Sequence, residues 1–457
     1  MNLTLLQSLS RMAWRNLRRN FRRNLATGVA ITAGFTAFLL AAGYASRVES
    51  VLRYYTIYGL RTGHVTIQKK GSLEMYAIKP RLWSLDENAQ SKITTVLATM
   101  TQIEKSGRLL KGQGLIGNGC KTFPFIATGV DLDVEQYAMT HPELLKWTPH
   151  ITKLNIGRPI WEAEANVSPV AVSIGLAKLL GKSKTLDQID RTQKLSILDC
   201  SMPNVRDHFS DDANVQLASG TWDGQLNASD SEMMQLYSTG LVETNSSSIV
   251  LSMNQLQSLY NTKNIASYSV WLKDAKDTQS TINTLNEKLG DFANELEILP
   301  WNEERIGPYY VGTMRFIVTM VGFIGCVLAL VIILSIFNSA TMTVIERSEE
   351  VGMLRSIGYT RGLVRLVFVL EGFFLTVVST VFGIIVGLTS MFFVNRSGIT
   401  FRPPGVEGGL QLILVPNFWV MILATVCVSS LAVFATWIAV SGISKKNISE
   451  LVAGTHR

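Results

Sequence analysis

Charge is scarce in this chain. Asp, Glu, Lys and Arg make up 17% of its 457 residues, against 47% hydrophobic residues, where a soluble domain carries about 25% charged residues. That balance excludes a disordered or collagen-like chain and argues against a wholly soluble enzyme. Four cysteines in a chain this long exclude a disulfide-stapled miniature fold. The five histidines, His64, His141, His150, His208 and His456, never fall into H-E-x-x-H or another close ligand spacing, and C-x-x-C is missing. G-x-S-x-G is missing too, so neither a structural metal nor a serine hydrolase has support, and no catalytic or metal-binding residues are assigned.

Two glycine motifs fail on context. Gly112, Gly114 and Gly117 satisfy G-x-G-x-x-G, but the residues after them are strand-like and include Pro124, where a dinucleotide site needs a helix. A plain glycine turn is expected. The stretch 114–122 resembles a phosphate loop until Cys120 separates Gly119 from Lys121, so no ATPase motif is visible. Cys120 and Cys200 either pair in an oxidising compartment or stay as buried thiols; Cys326 and Cys427 fall in apolar runs.

Apolar runs are what the chain has in quantity. Segments 25–45, 316–340, 366–394 and 412–440 contain one charged residue, Glu371, and each exceeds the roughly 20 helical residues that cross a bilayer core. The net charge of +7 gathers beside them. Arg11, Arg15, Arg18, Arg19, Arg22 and Arg23 precede the first run; Arg347, Arg355, Arg361 and Arg365 lie between the second and third; Lys445 and Lys446 come after the fourth. Basic flanks mark the cytoplasmic side. Residues 47–312, with 26 basic and 29 acidic residues, advertise no nucleic-acid surface.

The fold class implied is an α-helical membrane protein with four transmembrane helices, one plus three, and a large mixed α/β extracytoplasmic domain between the first and second. The expected boundaries are a cytoplasmic amphipathic interfacial helix at 1–24, spans at 25–46, 313–344, 361–395 and 412–443, the extracytoplasmic domain at 47–312, a cytoplasmic coupling helix at 345–360, an extracytoplasmic loop at 396–411 and a cytoplasmic tail at 444–457. Cleavage after Gly43-Tyr44-Ala45 is the alternative reading of the first run, but a 24-residue basic leader is long for a signal peptide, and retention is expected. Val48, Val51, Leu52 and Tyr55 keep a helical spacing and predict a stalk.

Within 47–312, strand-like runs at 64–68, 108–110, 123–130, 170–173, 194–198, 247–251, 267–271 and 296–299 alternate with helical stretches at 88–100 and 274–289. The polar stretch 199–241, in an insertion spanning about 165–245, reads as a subdomain or long loops. Between the second and third spans, Val351, Leu354 and Ile357 fall on one side of a short helix. Glu346, Glu350 and Arg355 are spaced for salt bridges, and Gly358 is a stop. This segment is either a docking helix or a solvated turn. A carboxylate at Glu371 costs about 2.5–3.5 kcal/mol at a span centre and less near an interface. It either reaches the headgroups or pairs with Arg355 or Arg361.

The pattern E-R-x-x-E-[IV]-G-x-L-R-x-[IL]-G, met from Glu346 to Gly358 and succeeded by Glu371-Gly372, resembles the signature of FtsX-like ABC-transporter permeases. That family includes lipoprotein-releasing permeases and the macrolide-exporter (MacB) type. Ala13 to Asn20, the one-plus-three order and the size of the external domain are similar to the family as well. Thr62 to Gln68, Gly129-Val-Asp131 and Arg402 to Gly405 resemble segments of the lipoprotein-releasing branch. The resemblance implies a mechanotransmission permease in which Glu346, Arg347, Glu350, Val351, Gly352, Leu354, Arg355, Ile357 and Gly358 couple to an ATPase. Its partners would be a separate cytosolic ABC ATPase binding ATP and Mg, a second permease copy or homologue, membrane lipid, and a periplasmic adaptor or carrier. The chain itself would hold no cofactor. The setting implied is a bacterial inner membrane with both termini cytoplasmic and the large domain periplasmic. Cargo would be lipoprotein or another amphiphile; the alternative is a non-transporting regulator acting on an extracytoplasmic cell-wall enzyme or signalling partner.

Overall fold

The computed structural model describes residues 3–19, 21–152, 154–182, 200, 213–401 and 409–443. The expected strand at 194–198, the segment 402–405 and the tail at 444–457 lie outside them. The chain divides into two compact units. One comprises Met1–Val48, Met314–Ile399 and Gln411–Arg457; the other comprises Glu49–Thr313 and Thr400–Leu410.

Among the described residues, four helices are long and apolar enough to cross a membrane: Phe21–Tyr54, Pro308–Glu346, Arg361–Ser397 and Phe418–Ile443. The fourth begins six residues later than expected. Pro416 disfavours helix in the residue before it, and Asn417 Oδ1 caps the helix by accepting from Trp419 N and Val420 N at 3.1 and 3.3 Å. Upstream, Leu414 N donates to Asn395 Oδ1 at 2.8 Å, and residues 412–417 belong to neither helix nor strand.

The third span packs through small and hydroxyl residues. Thr376, Thr380, Gly383 and Gly387 are buried on it, and an added Cβ at Gly383 would lie 3.0 Å from the Phe35 ring. Thr32 and Thr36 of the first span donate to the carbonyls of Ser379 and Gly383 at 3.0 and 3.1 Å. Small residues permit this approach where no hydrophobic effect drives association. The second span buries Ile332 and Ile336 against Ile31, Ala432 and Ala435, while Phe316 and Phe323 point outward. The N-terminal helix Leu3–Arg19 buries Leu9 and Ala13 and sets Trp14 edge-on to Phe374 at 5.9 Å, with Arg11, Arg15, Arg18 and Arg19 exposed. Amphipathic spacing thus becomes packing on the third span.

Among the described residues, the other unit is built on ten strands: β1 Val65–Lys69, β2 Ile103–Gly117, β3 Thr122–Val130, β4 Ile156–Gly157, β5 Pro169–Ser173, β6 Asn214–Gly220, β7 Leu226–Tyr237, β8 Ser248–Ser252, β9 Ser267–Leu272 and β10 Leu296–Pro300. Their order is β10-β1-β9-β2-β3-β8-β5-β7-β4, with β6 joining β2 to β7. The pairings β2-β3-β8-β5-β7-β6-β2 therefore close into a ring. Helices Glu87–Ala98 and Thr278–Leu289 bury Ile93, Leu97, Ile282 and Leu285 in the core of this unit.

One expectation is corrected here, and one of two alternatives is set aside. The G-x-G-x-x-G run is not a turn but the distal half of β2. Gly112 leaves room for the Tyr260 ring and Gly114 for Phe125 and the Ala218 carbonyl, since an added Cβ would come within 2.2 and 2.5 Å. The described part of the polar stretch, from residue 213, holds β6 and β7 rather than long loops. Val215 and Leu217 alternate inward on β6, whereas after the exposed Leu226 the first half of β7 has polar or small residues on both faces and shows no apolar period. Cys120 and Cys200 form a disulfide.

Candidate coupling site

The second span ends at Glu346, and a nine-residue helix, Ser348–Ser356, begins after Arg347. Its C-terminus is a Schellman motif. Tyr359 N donates to Leu354 O at 3.1 Å and Gly358 N to Arg355 O at 3.2 Å, with Gly358 at φ +104°. Only glycine adopts that φ cheaply, and the motif commonly adds an apolar contact between its flanking residues. Leu354 and Tyr359 pack on Val344, Val351, Val364, Phe368 and Val440. Thr360 Oγ1 then caps the third span by accepting from Leu363 N at 3.4 Å.

The expected apolar side is therefore split. Val351 and Leu354 face the protein's own core, while Ile357 is 78% exposed and Met353 57%. The reason is helical phase: each step of three falls about 60° short of a full turn, so Ile357 lies about 120° from Val351 and one turn beyond Met353, to whose carbonyl its amide donates at 3.1 Å. Met353, which the sequence pattern does not single out, joins Ile357 on the outside. Gly352 is buried; Glu346 is exposed and Arg355 half-buried.

Electrostatics adds a partner that the sequence reading did not name. Glu371 is buried, and Arg347 Nη1 donates to its Oε2 at 3.1 Å. Arg347 Nε donates to Glu350 Oε2 at 2.7 Å, and Arg19 Nη2 reaches Glu350 Oε1 at 2.7 Å. Arg347 also lies over the Phe368 ring at 5.3 Å. Burial opposes ionisation of Glu350, but Arg347 and Arg19 hold its carboxyl below the usual range. The sequence reading offered Arg355 or Arg361 and passed over Arg347. Arg347 lies at the break between two helices, where its fork reaches carboxylates on both sides. Beside Glu371, Asn24, Thr27, Ser339, Thr343 and Thr436 help line a cavity of about 30 Å³, room for a water or two.

A second junction lies in the other unit. The stalk residues Val48, Val51, Leu52 and Tyr55 succeed one another along a helix that passes at Tyr54 into a π-helical turn, Tyr55–Gly59. Leu52 is buried, and the Tyr55 hydroxyl donates to the Thr239 carbonyl. Beyond the turn, Arg61 sits at φ +62° and clamps Glu135 through two bonds of 2.5 Å. Gly63, at φ +67°, lies so close to β9 that an added Cβ would be 2.6 Å from Val270 O. Trp271 Nε1 donates to Ile57 O at 3.1 Å. His64 Nδ1 accepts from Leu272 N at 3.1 Å, and its carbonyl accepts from Trp301 N at 3.1 Å. Burial, reinforced by His141 and opposed by Asp274, pushes His64 down to about 4.

Residues 322–448 match the family model of the FtsX-like permease C-terminal domain. The match takes in most of the second span, the third and fourth spans, and the segment from Glu346 to Gly358. The chain is 33% identical over 82 residues to "ABC transporter permease YtrF" of Bacillus subtilis (strain 168), covering 18% of this chain and 19% of that one. It is 26% identical over 150 residues to "Uncharacterized ABC transporter permease YknZ" of the same strain, covering 33% and 38%. These alignments therefore span well under half the length of either relative. Among solved structures, the extracellular domain of YknZ from Gram-positive bacteria aligns with a TM-score of 0.30 at 12% identity, over 51% of this chain and 98% of that one. The periplasmic region of MacB from Actinobacillus actinomycetemcomitans gives 0.32 at 13%, over 54% and 94%. The fold of this unit rests on its own strand pairings.

Proposed function

We propose that this chain is the permease subunit of an ABC transporter, converting ATP hydrolysis by a separate cytosolic ATPase into movement of its interspan domain. The observation that carries the reading is the element at 347–359: a short helix with its own stop, anchored inward by Val351, Leu354 and Arg347, and presenting Met353 and Ile357 to the outside. An anchored helix with an apolar outer corner suits a groove on a partner protein. Basic flanks put both termini and this helix in the cytoplasm. The Cys120–Cys200 disulfide supports an oxidising, extracytoplasmic setting for the large domain, at a bacterial inner membrane.

Two permease copies, or one and a homologue, embedded in lipid would face two ATPase subunits that bind ATP and Mg. One charged residue in the apolar runs offers no polar lining for a wide pore. That favours release of lipoprotein or another amphiphile, with or without an adaptor or carrier, over passage of polar cargo. Ile357→Asp tests the reading. Placing a charge in a desolvated contact should cost several kcal/mol of binding and abolish co-purification of the ATPase while the permease still inserts. Undiminished recovery of the complex would refute it.

A further inference from the structure

We propose that Arg347 is the positioning residue that passes displacement of the Ser348–Ser356 helix to the third span, an inference that rests on the permease reading above. Its backbone is the break between two helices, at φ −103° and ψ 21°. Its amide still donates to Thr343 O of the second span at 3.1 Å, and its carbonyl accepts from Val351 N of the short helix at 3.0 Å. The side chain adds a third attachment. One guanidinium, 10% exposed, holds Glu350 of the short helix at 2.7 Å and Glu371 of the third span at 3.1 Å.

A guanidinium holds two carboxylates in fixed directions, which a lysine ammonium cannot do. When the short helix is displaced, Glu371 must move with it or lose the Arg347 guanidinium in a buried site. Losing it is the more costly course. Glu371 is also placed to spread the movement. Its neighbour Gly372 packs on Thr436 of the fourth span, and further along the same helix Ser379 and Gly383 accept from Thr32 and Thr36 of the first. Arg19 extends the network to the N-terminal helix through Glu350. Stability alone is a poor reason for such a pair, because an apolar pair of similar volume is often as stable.

That equivalence supplies the test. The full chain, carrying Cys326→Ser and Cys427→Ser, is spin-labelled at the outward-facing Phe323 and Phe382 and reconstituted in nanodiscs with the ABC ATPase that co-purifies with it. The interlabel distance is read with and without a saturating non-hydrolysable ATP analogue. The original pair should show a nucleotide-dependent shift. Arg347→Met with Glu371→Met should fold but shift less than one-fifth as much in the nucleotide-loaded complexes recovered, and Glu371→Gln should show a similar loss. A full shift in either variant would overturn the proposal. So would failure of the double-methionine chain to fold, which would show that the pair is kept for stability. Absence of a bound ATPase, or of any shift in the original chain, would instead overturn the permease reading, and this inference with it.

Discussion

After Glu346 and after Tyr54, a long helix gives way to another element, and the groups that fix the two handovers differ in kind. At Arg347 the fixing groups are charged: one guanidinium, two carboxylates and Arg19 beyond them. At Tyr55–Gly59 they are mainly aromatic and backbone groups. Trp271 bonds Ile57, His64 bonds Leu272 and Trp301, Tyr58 stacks on His141 with centroids 3.9 Å apart, and Arg61–Glu135 is the ion pair at its edge. A charged joint ties its partners through directed bonds from one guanidinium; a packed aromatic joint holds one geometry through many contacts and fails as a unit.

The difference can be broken most severely at the aromatic joint. Trp271 is fully buried and satisfies a backbone carbonyl, so Trp271→Ala should cost about 3–5 kcal/mol and lower the unfolding temperature of the interspan domain by many degrees. A loss below about 1 kcal/mol would mean that the joint is not tightly packed.

Acid attacks the same joint somewhat less strongly. With His64 near 4 when folded and 6.5 when unfolded, the unfolded state binds more protons between those values, so stability is full above about pH 6.5 and falls as pH drops toward 4. The integrated loss is about 3 kcal/mol. Thermal unfolding at pH 7 and pH 4.5 should show it, and His64→Gln should flatten the slope. An unchanged slope in that variant would place the effect elsewhere.

At the charged joint, the smallest effect expected is from Gly358→Ala. The residue would have to hold φ +104° with a Cβ, at about 1–2 kcal/mol. Nothing lies within 4 Å of that Cβ, so the cost should stay local. Hydrogen exchange of the Ser348–Ser356 amides should quicken about 5- to 30-fold, with the rest of the membrane unit unaffected.

The comparison also shows what was legible in the residues alone. The four spans, and the motif from Glu346 to Gly358, were readable because length, apolarity and a glycine stop are local properties. The partner of Glu371 was not, because Arg347, Arg355, Arg361 and Arg365 look alike until the helix break aims one of them inward. Ile357 was grouped with Val351 and Leu354 on one side by counting in steps of three, which drift by about 60° each against the helical turn. In the interspan domain, β2 looked like a short strand with a glycine motif because its glycines make room for Tyr260, Phe125 and the Ala218 carbonyl, neighbours supplied by distant segments. The β6–β7 hairpin was hidden in a polar stretch, since half of β7 presents small and polar residues to both faces. Nothing near Tyr55 announced the aromatic joint, whose members come from five stretches between Tyr55 and Trp301.

The central claim, that Met353 and Ile357 form the outer corner onto which an ATPase docks while Leu354 faces inward, is most directly tested by photo-crosslinking. A photoreactive phenylalanine analogue is placed at Ile357 or at Leu354 of the full-length chain in its native membrane. Position 357 should yield an adduct to an ABC ATPase, and position 354 only adducts within the chain. An ATPase adduct from 354 and none from 357 would contradict the account.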